Sequence, residues 1–227
     1  MMVATLSTGP VGPSDKLGSE NKTNIMATCT ADGKILKPSV PATAIDATFA
    51  QRAFGTGGPQ GELWSAWSDL GAYRWHSVLS ASIDDAFTVL PNMLKGFNSR
   101  HRGPSDPPAP AAYYKYQYGT DFTGAAQFDN LSLPANDKTT AQLWSIAPDF
   151  PSGHALLGEH AKFVPVSPVR FQDLQASSNG FSVEVKGRSG EQLSVRIRVP
   201  SGSVQSVACT LPASGNAVLR VPQMSCE

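Results

Sequence analysis

The feature that most constrains the fold is a period of two in the last sixty residues. Phe181-Ser-Val-Glu-Val-Lys, Leu193-Ser-Val-Arg-Ile-Arg-Val, residues 204–209 and residues 217–221 alternate apolar with polar side chains, and Gly, Ser, Pro or Asn turns separate them. Successive side chains of a strand point to opposite faces, so each segment buries one face and wets the other. Short strands at intervals of about 8 to 12 residues predict an antiparallel β-sandwich. Upstream, Glu62-Leu-Trp-Ser-Ala-Trp-Ser and Tyr73-Arg-Trp-His-Ser-Val-Leu-Ser flank Asp69-Leu-Gly and read as a hairpin. Further strands are expected at residues 86–90, 113–118 and 140–147, with Gly153-His-Ala-Leu-Leu-Gly following a turn. Residues 103–112, rich in proline, read as an exposed extended loop.

Composition supports the mainly β class. Of 227 residues only 16% are charged, while 20 are glycine and 18 proline, a balance suited to strands and turns and poor in helical surface. Eighteen Lys and Arg balance eighteen Asp and Glu, so there is no net field to recruit nucleic acid or an anionic membrane, and small neutral ligands suit the chain best. Tyr113 to Tyr118 with Lys115 could stack on single-stranded nucleic acid, but the zero net charge argues against it. No run is long and apolar enough to span a membrane, and Met-Met-Val-Ala-Thr-Leu-Ser lacks the basic start and sustained apolar core of a secretory signal, so the chain reads as soluble. Cys29, Cys209 and Cys226 are odd in number and far from metal-ligand spacing, which argues against a dedicated disulfide framework. Asn21-Lys-Thr and Asn130-Leu-Ser are formal glycosylation acceptors, a short pattern that also arises by chance.

The first fifty-five residues differ in character. An apolar run at residues 3–6 reads as a strand feeding Ser7-Thr-Gly-Pro-Val-Gly-Pro-Ser-Asp-Lys-Leu-Gly, a loop whose prolines and glycines would fix Asp15 in one place. A carboxylate held there suits a polyol ligand; equally, Asp15 could cap the helix that follows. Ile25, Met26 and Cys29 predict a short helix within residues 24–30, and Ala31-Asp-Gly-Lys a turn. Prolines 38 and 41 argue against regular structure in residues 31–50, which read as a wrapping segment, and Gly55-Thr-Gly-Gly-Pro marks a boundary to a main domain at 56–227. A strand so close to residue 1 looks like an element taken from a longer chain.

Gly9-Pro-Val, Ser14-Asp-Lys-Leu-Gly18, Ala31-Asp-Gly-Lys-Ile-Leu, Pro41 and Ile45-Asp-Ala-Thr-Phe49 resemble, in order and spacing, the end of the catalytic barrel in raffinose-synthase-like and alkaline α-galactosidase-like glycoside hydrolases. Leu156-Leu-Gly-Glu-His-Ala-Lys-Phe-Val-Pro-Val-Ser-Pro resembles glycosidase tail domains. The resemblance implies a strand-loop-helix remnant of a (β/α) barrel followed by a supporting β-sandwich, with the Ser14-Asp15-Lys16 loop facing sugar. Retaining glycosidases need two carboxylates roughly 5 to 5.5 Å apart. In the resembled family both lie on earlier barrel strands, so this chain alone is expected to be inactive, to need no cofactor, and to have the missing barrel as its partner, in cis or in trans.

Carbohydrate modules commonly stack aromatic faces on sugar rings, which makes Trp64 and Trp75 candidate sugar contacts beside Ser14, Asp15 and Lys16. The competing reading is that they are core, and Trp64 and Trp67, three apart, should lie on opposite faces. His154, Glu159 and His160 lack a third ligand at fixed spacing for a metal. Asp84-Asp85 reads as a turn before Phe87, and neither a Gly-x-Ser-x-Gly elbow nor a lysine-bearing phosphate loop is present.

Overall fold

Residues 2–6 are helical, not a strand, in the computed structural model, which describes residues 1–12, 16, 18–97, 109–120, 124–137 and 139–227. Four apolar residues are too few for periodicity to separate strand from helix, and here Thr5 Oγ1 donates back to the Met1 carbonyl at 3.0 Å while Leu6 turns into the core. After this helix, α1 (Met2–Leu6), comes α2 (Lys22–Met26), begun by Asn21, whose side-chain oxygen accepts from Asn24 N at 3.0 Å. The predicted helix is therefore present, shifted toward the N-terminus, and Cys29 instead bridges to Ile35.

Residues 31–50 are more regular than a wrapping segment. β1 (Val40–Ala44) pairs with the next strand, and α3 (Asp46–Ala53) follows. Pro41 is tolerated because β1 is an edge strand whose register shifts between Val40 and Thr43, so its missing N–H interrupts no central ladder.

The remaining strands are β2 (Glu62–Leu70), β3 (Tyr73–Ala81), β4 (Phe87–Val89), β5 (Tyr113–Gln117), β6 (Ala126–Gln127), β7 (Leu131–Leu133), β8 (Gln142–Pro148), β9 (Ala155–Gly158), β10 (Phe171–Ser177), β11 (Gly180–Lys186), β12 (Gln192–Arg198), β13 (Val204–Thr210), β14 (Asn216–Val221) and β15 (Ser225–Cys226). The fold is mainly β and sandwich-like, with the expected hairpin formed by β2 and β3. A six-stranded antiparallel sheet runs β1-β2-β3-β8-β5-β6; beside it lie β10-β11-β14-β15, β13-β12-β9 and the pair β4-β7.

The central sheet is covered on both faces. Leu70, Tyr73, Trp75, Tyr116 and Ala147 pack on one side against Phe150, Leu156, Val183, Val195 and Leu219. Further along this face, Ala66, Leu79 and Leu143 receive Leu6, Ala27 and Phe163. The opposite face, with Leu63, Val78 and Ile146, meets Ile45, Phe87, Val89, Leu131 and Leu133. Double coverage explains why β3 is buried almost throughout, whereas β11 to β14 keep the one-in, one-out alternation of a half-exposed sheet.

Leu6 and Ala27 share a core with β2, β3 and β8, and β1 is hydrogen-bonded to β2, so pairing and packing both cross the expected boundary near residue 55. The cysteines also depart from expectation: Cys209 and Cys226 form a disulfide with their Cα atoms 5.2 Å apart, joining β13 to β15, and Cys29 is buried and free.

Candidate functional site

Residues 158–170 form a densely hydrogen-bonded polar centre around Arg170. β9 ends at Gly158, where the backbone turns with φ +79° and an added Cβ would stand 2.2 Å from the Pro165 carbonyl oxygen, so only glycine lets the chain fold back. Glu159 N donates to that carbonyl at 3.0 Å, while Phe163, Val164 and Val166 turn inward.

Arg170 lies at the centre with no exposed surface. Its Nε donates to Glu159 Oε2 at 2.7 Å; Nη2 and Nη1 reach Glu191 Oε1 and Oε2 at 2.5 and 3.1 Å; Nη1 also meets the Lys186 carbonyl at 2.7 Å. The planar guanidinium thus engages Glu191 through two nitrogens and still has donors for Glu159 and the backbone. Gly187 makes room: a Cβ there would lie 2.2 Å from Arg170 Nη1 and 2.3 Å from Glu191 Oε2. Burial raises the Glu159 carboxyl above its usual range, against the pull of Arg170 and Lys162. Burial acts the same way on Glu191, but the hydrogen bonds from Arg170 and from the Arg188 and Ala31 amides outweigh it and hold Glu191 below that range.

From this centre three side chains reach the N-terminal segment. Glu191 Oε1 accepts from Ala31 N at 3.1 Å; Lys162 Nζ donates to the Met26 and Cys29 carbonyls at 2.8 and 2.7 Å; Ser167 Oγ donates to the Lys37 carbonyl at 2.7 Å. Lys37 Nζ in turn donates to the Thr8 carbonyl at 2.7 Å. The backbone on both sides of the Ser14-Asp15-Lys16 loop is therefore tied down, at Thr8 before it and at residues 26–37 after it.

Of the candidate sugar contacts, Ser14 and Asp15 lie outside the described residues, as does most of the proline-rich loop at 103–112. Lys16 is exposed. Trp75 is a correction: the residue is only 4% exposed, its ring sits edge-on to Phe150, and its Nε1 donates to the Leu156 carbonyl at 2.8 Å, so no face is left for a sugar. Trp64 is half-buried and shares that sheet face, but Trp75 stands opposite Ser68, four residues further along β2, a rise of about 13 Å. Trp67 points to the other face, beneath the Arg74 guanidinium at 4.7 Å, as its spacing from Trp64 predicts. The hairpin carries no continuous aromatic platform.

His154 Nδ1 lies 3.0 Å from Ser152 Oγ, Glu159 is committed to Arg170, and no group of three metal-ligating side chains occurs among the described residues. Asp84 accepts from Gln60 N at 2.6 Å in the turn before β4.

Two features escaped the sequence reading. The Arg170 centre is one; its signal was that Glu159, Lys162, Ser167 and Arg170 fall in or beside the Leu156 to Pro168 stretch, which resembles glycosidase tail domains. The other is His76, 1% exposed, with its ring near Trp67 and Phe97 and with neither nitrogen hydrogen-bonded among the described residues. Burial and the neighbouring Arg74 push its pKa down to about 3, Asp69 opposing only in part, so the imidazole is neutral. No family model matches the chain, and no curated protein matches it significantly in sequence.

Proposed function

We propose that this chain is the C-terminal, non-catalytic portion of a glycoside-hydrolase-like protein: a β-sandwich that holds a barrel-end segment in place and contributes one sugar-facing loop, Ser14-Asp15-Lys16. The observation that supports this reading is the anchoring of the described segments that flank that loop, at Thr8 before it and at Met26, Ala31 and Lys37 after it. A sugar contact must be preorganised, and rigid flanks lower the entropy lost on binding. Glu159 and Glu191 converge, but on Arg170 in the interior rather than across a cleft, so they do not supply the carboxylate pair that glycoside hydrolysis needs.

The test is glycan binding and hydrolysis by the same protein. The chain is expected to bind galactosides weakly, to lose that binding in Asp15→Asn, to keep it in Trp64→Ala, and to hydrolyse no aryl galactoside by itself. Binding unaffected by Asp15→Asn, or turnover by this chain alone, overturns the reading; binding lost only in Trp64→Ala favours a stand-alone carbohydrate-binding module.

One observation favours a second reading, a protein-interaction sandwich. Phe49 and Phe54, on and just beyond α3, are 68% and 81% exposed, and apolar rings that form a contiguous patch mark interaction sites. In the preferred reading the same rings are where the catalytic barrel would seat. A double Phe49→Ser, Phe54→Ser variant that loses association with a barrel supplied in trans supports the preferred reading. A chain that binds no glycan but needs both rings to associate with another protein supports the second.

A further inference from the structure

We infer that this chain matures in an oxidising secretory compartment and carries N-linked glycans at Asn21 and Asn130. The observations behind this are independent of the sugar-contact loop. Cys209 and Cys226 are paired, and a structural disulfide persists where thiols are not kept reduced, which places the folded chain outside the cytosol. In that setting the two Asn-x-Ser/Thr motifs acquire meaning, because the same compartment holds the machinery that glycosylates them.

Both acceptors satisfy what the modification requires. Asn21 and Thr23 are exposed, and so are Asn130 and Ser132. The intervening residues are Lys22 and Leu131, neither of them proline. Asn21 uses only Oδ1 to cap α2, accepting from Asn24 N. A glycan is attached through Nδ2, so the cap and the sugar can coexist on one side chain. Asn130 directly precedes β7, which pairs with β4. The Asn130 backbone is held by Lys115 Nζ, which donates to its carbonyl and leaves the side-chain amide uninvolved in that contact.

The disulfide and the two exposed acceptor motifs carry the inference, and the sugar-facing loop of the proposed reading does not. The modification sites themselves are tested separately. The protein isolated from the cells that make it is alkylated before any reduction, treated with a peptide N-glycosidase in heavy-oxygen water, and analysed by peptide mass spectrometry. The expected result is heavy aspartate at positions 21 and 130 and a disulfide-linked pair of peptides bearing Cys209 and Cys226. In a secretory expression host, Thr23→Ala and Ser132→Ala should each remove one glycan while retaining the asparagine. Unmodified asparagine at both positions, or alkylated Cys209 and Cys226, overturns the inference. Loss of galactoside binding in Asp15→Asn is unaffected by either outcome, so failure here and failure of the sugar reading are told apart.

Discussion

The sheets built from β9 to β15 and the segment at residues 1–37 are held by different forces. In the former, side chains such as Val183, Val195, Ile197 and Leu219 are fully buried and the strands are paired along their length. The described part of the N-terminal segment carries the short helices α1 and α2, contributes Leu6, Ala27 and Leu36 to the interior, and owes much of its position to polar side chains reaching out from the sandwich. Apolar burial is non-directional and tolerates sliding, whereas a lysine between two named carbonyls fixes one register. The contrast teaches that the sheets supply stability and the Arg170 centre supplies placement.

Replacing Arg170 should break both regions at once. In Arg170→Met, Glu159 and Glu191 lose a buried cation, and the expected loss is about 3 to 5 kcal/mol in denaturant unfolding. A loss confined to the N-terminal segment, with the sheets unchanged, would contradict the central position given to Arg170.

Opening the disulfide acts on the sheet side alone. It closes a separation of 17 residues, for which chain entropy gives a contribution of about 3 kcal/mol. Cys226→Ser, or the reduced protein, should therefore melt at lower temperature. Amides at residues 25–30 should keep their exchange protection relative to the new global stability.

Lys162→Met reverses that pattern. It leaves the Met26 and Cys29 carbonyls without this donor, at a cost of about 1 to 3 kcal/mol. Hydrogen exchange should quicken at Ala27, Thr28 and Phe163 while the amides of β11 and β14 stay protected. Uniform loss across the chain would mean that the two regions cannot open separately.

The smallest effect at neutral pH concerns His76. The unfolded imidazole takes up a proton near 6.5 and the folded one only at about 3, so between those values the unfolded state binds more protons. The stabilisation is complete above pH 6.5 and is lost as the pH falls toward 3, with a slope of at most about 1.4 kcal/mol per pH unit. His76→Phe should flatten that part of the stability profile, and an unchanged slope would assign it to other groups.

Much of this architecture could be read from the chain. The alternation in Phe181-Ser-Val-Glu-Val-Lys and Leu193-Ser-Val-Arg-Ile-Arg-Val falls on β11 and β12, and Asp69-Leu-Gly falls at the end of the longest hairpin. The failures have physical causes. Val3 to Leu6 was too short to carry a period, and Pro41 forbids a central strand but not the edge position β1 takes. Trp75 looked like a sugar platform because aromatic composition is the same for a core and for a binding face. Only the sheet packed above it distinguishes them. The candidate site was legible only as a motif: Glu159, Lys162 and Ser167 were visible, but not their partners 130 or more residues away at Met26, Cys29 and Lys37, nor the second carboxylate at Glu191.

By itself the sequence determined where strands form and which of their side chains turn inward, because both follow from local alternation and turn chemistry. Tertiary structure alone decided which cysteines pair, which tryptophan is covered, and that Lys162, Ser167 and Glu191, gathered around one buried arginine, reach residues 26–37. Those outcomes depend on which distant surfaces meet in space, and separation along the chain does not encode that.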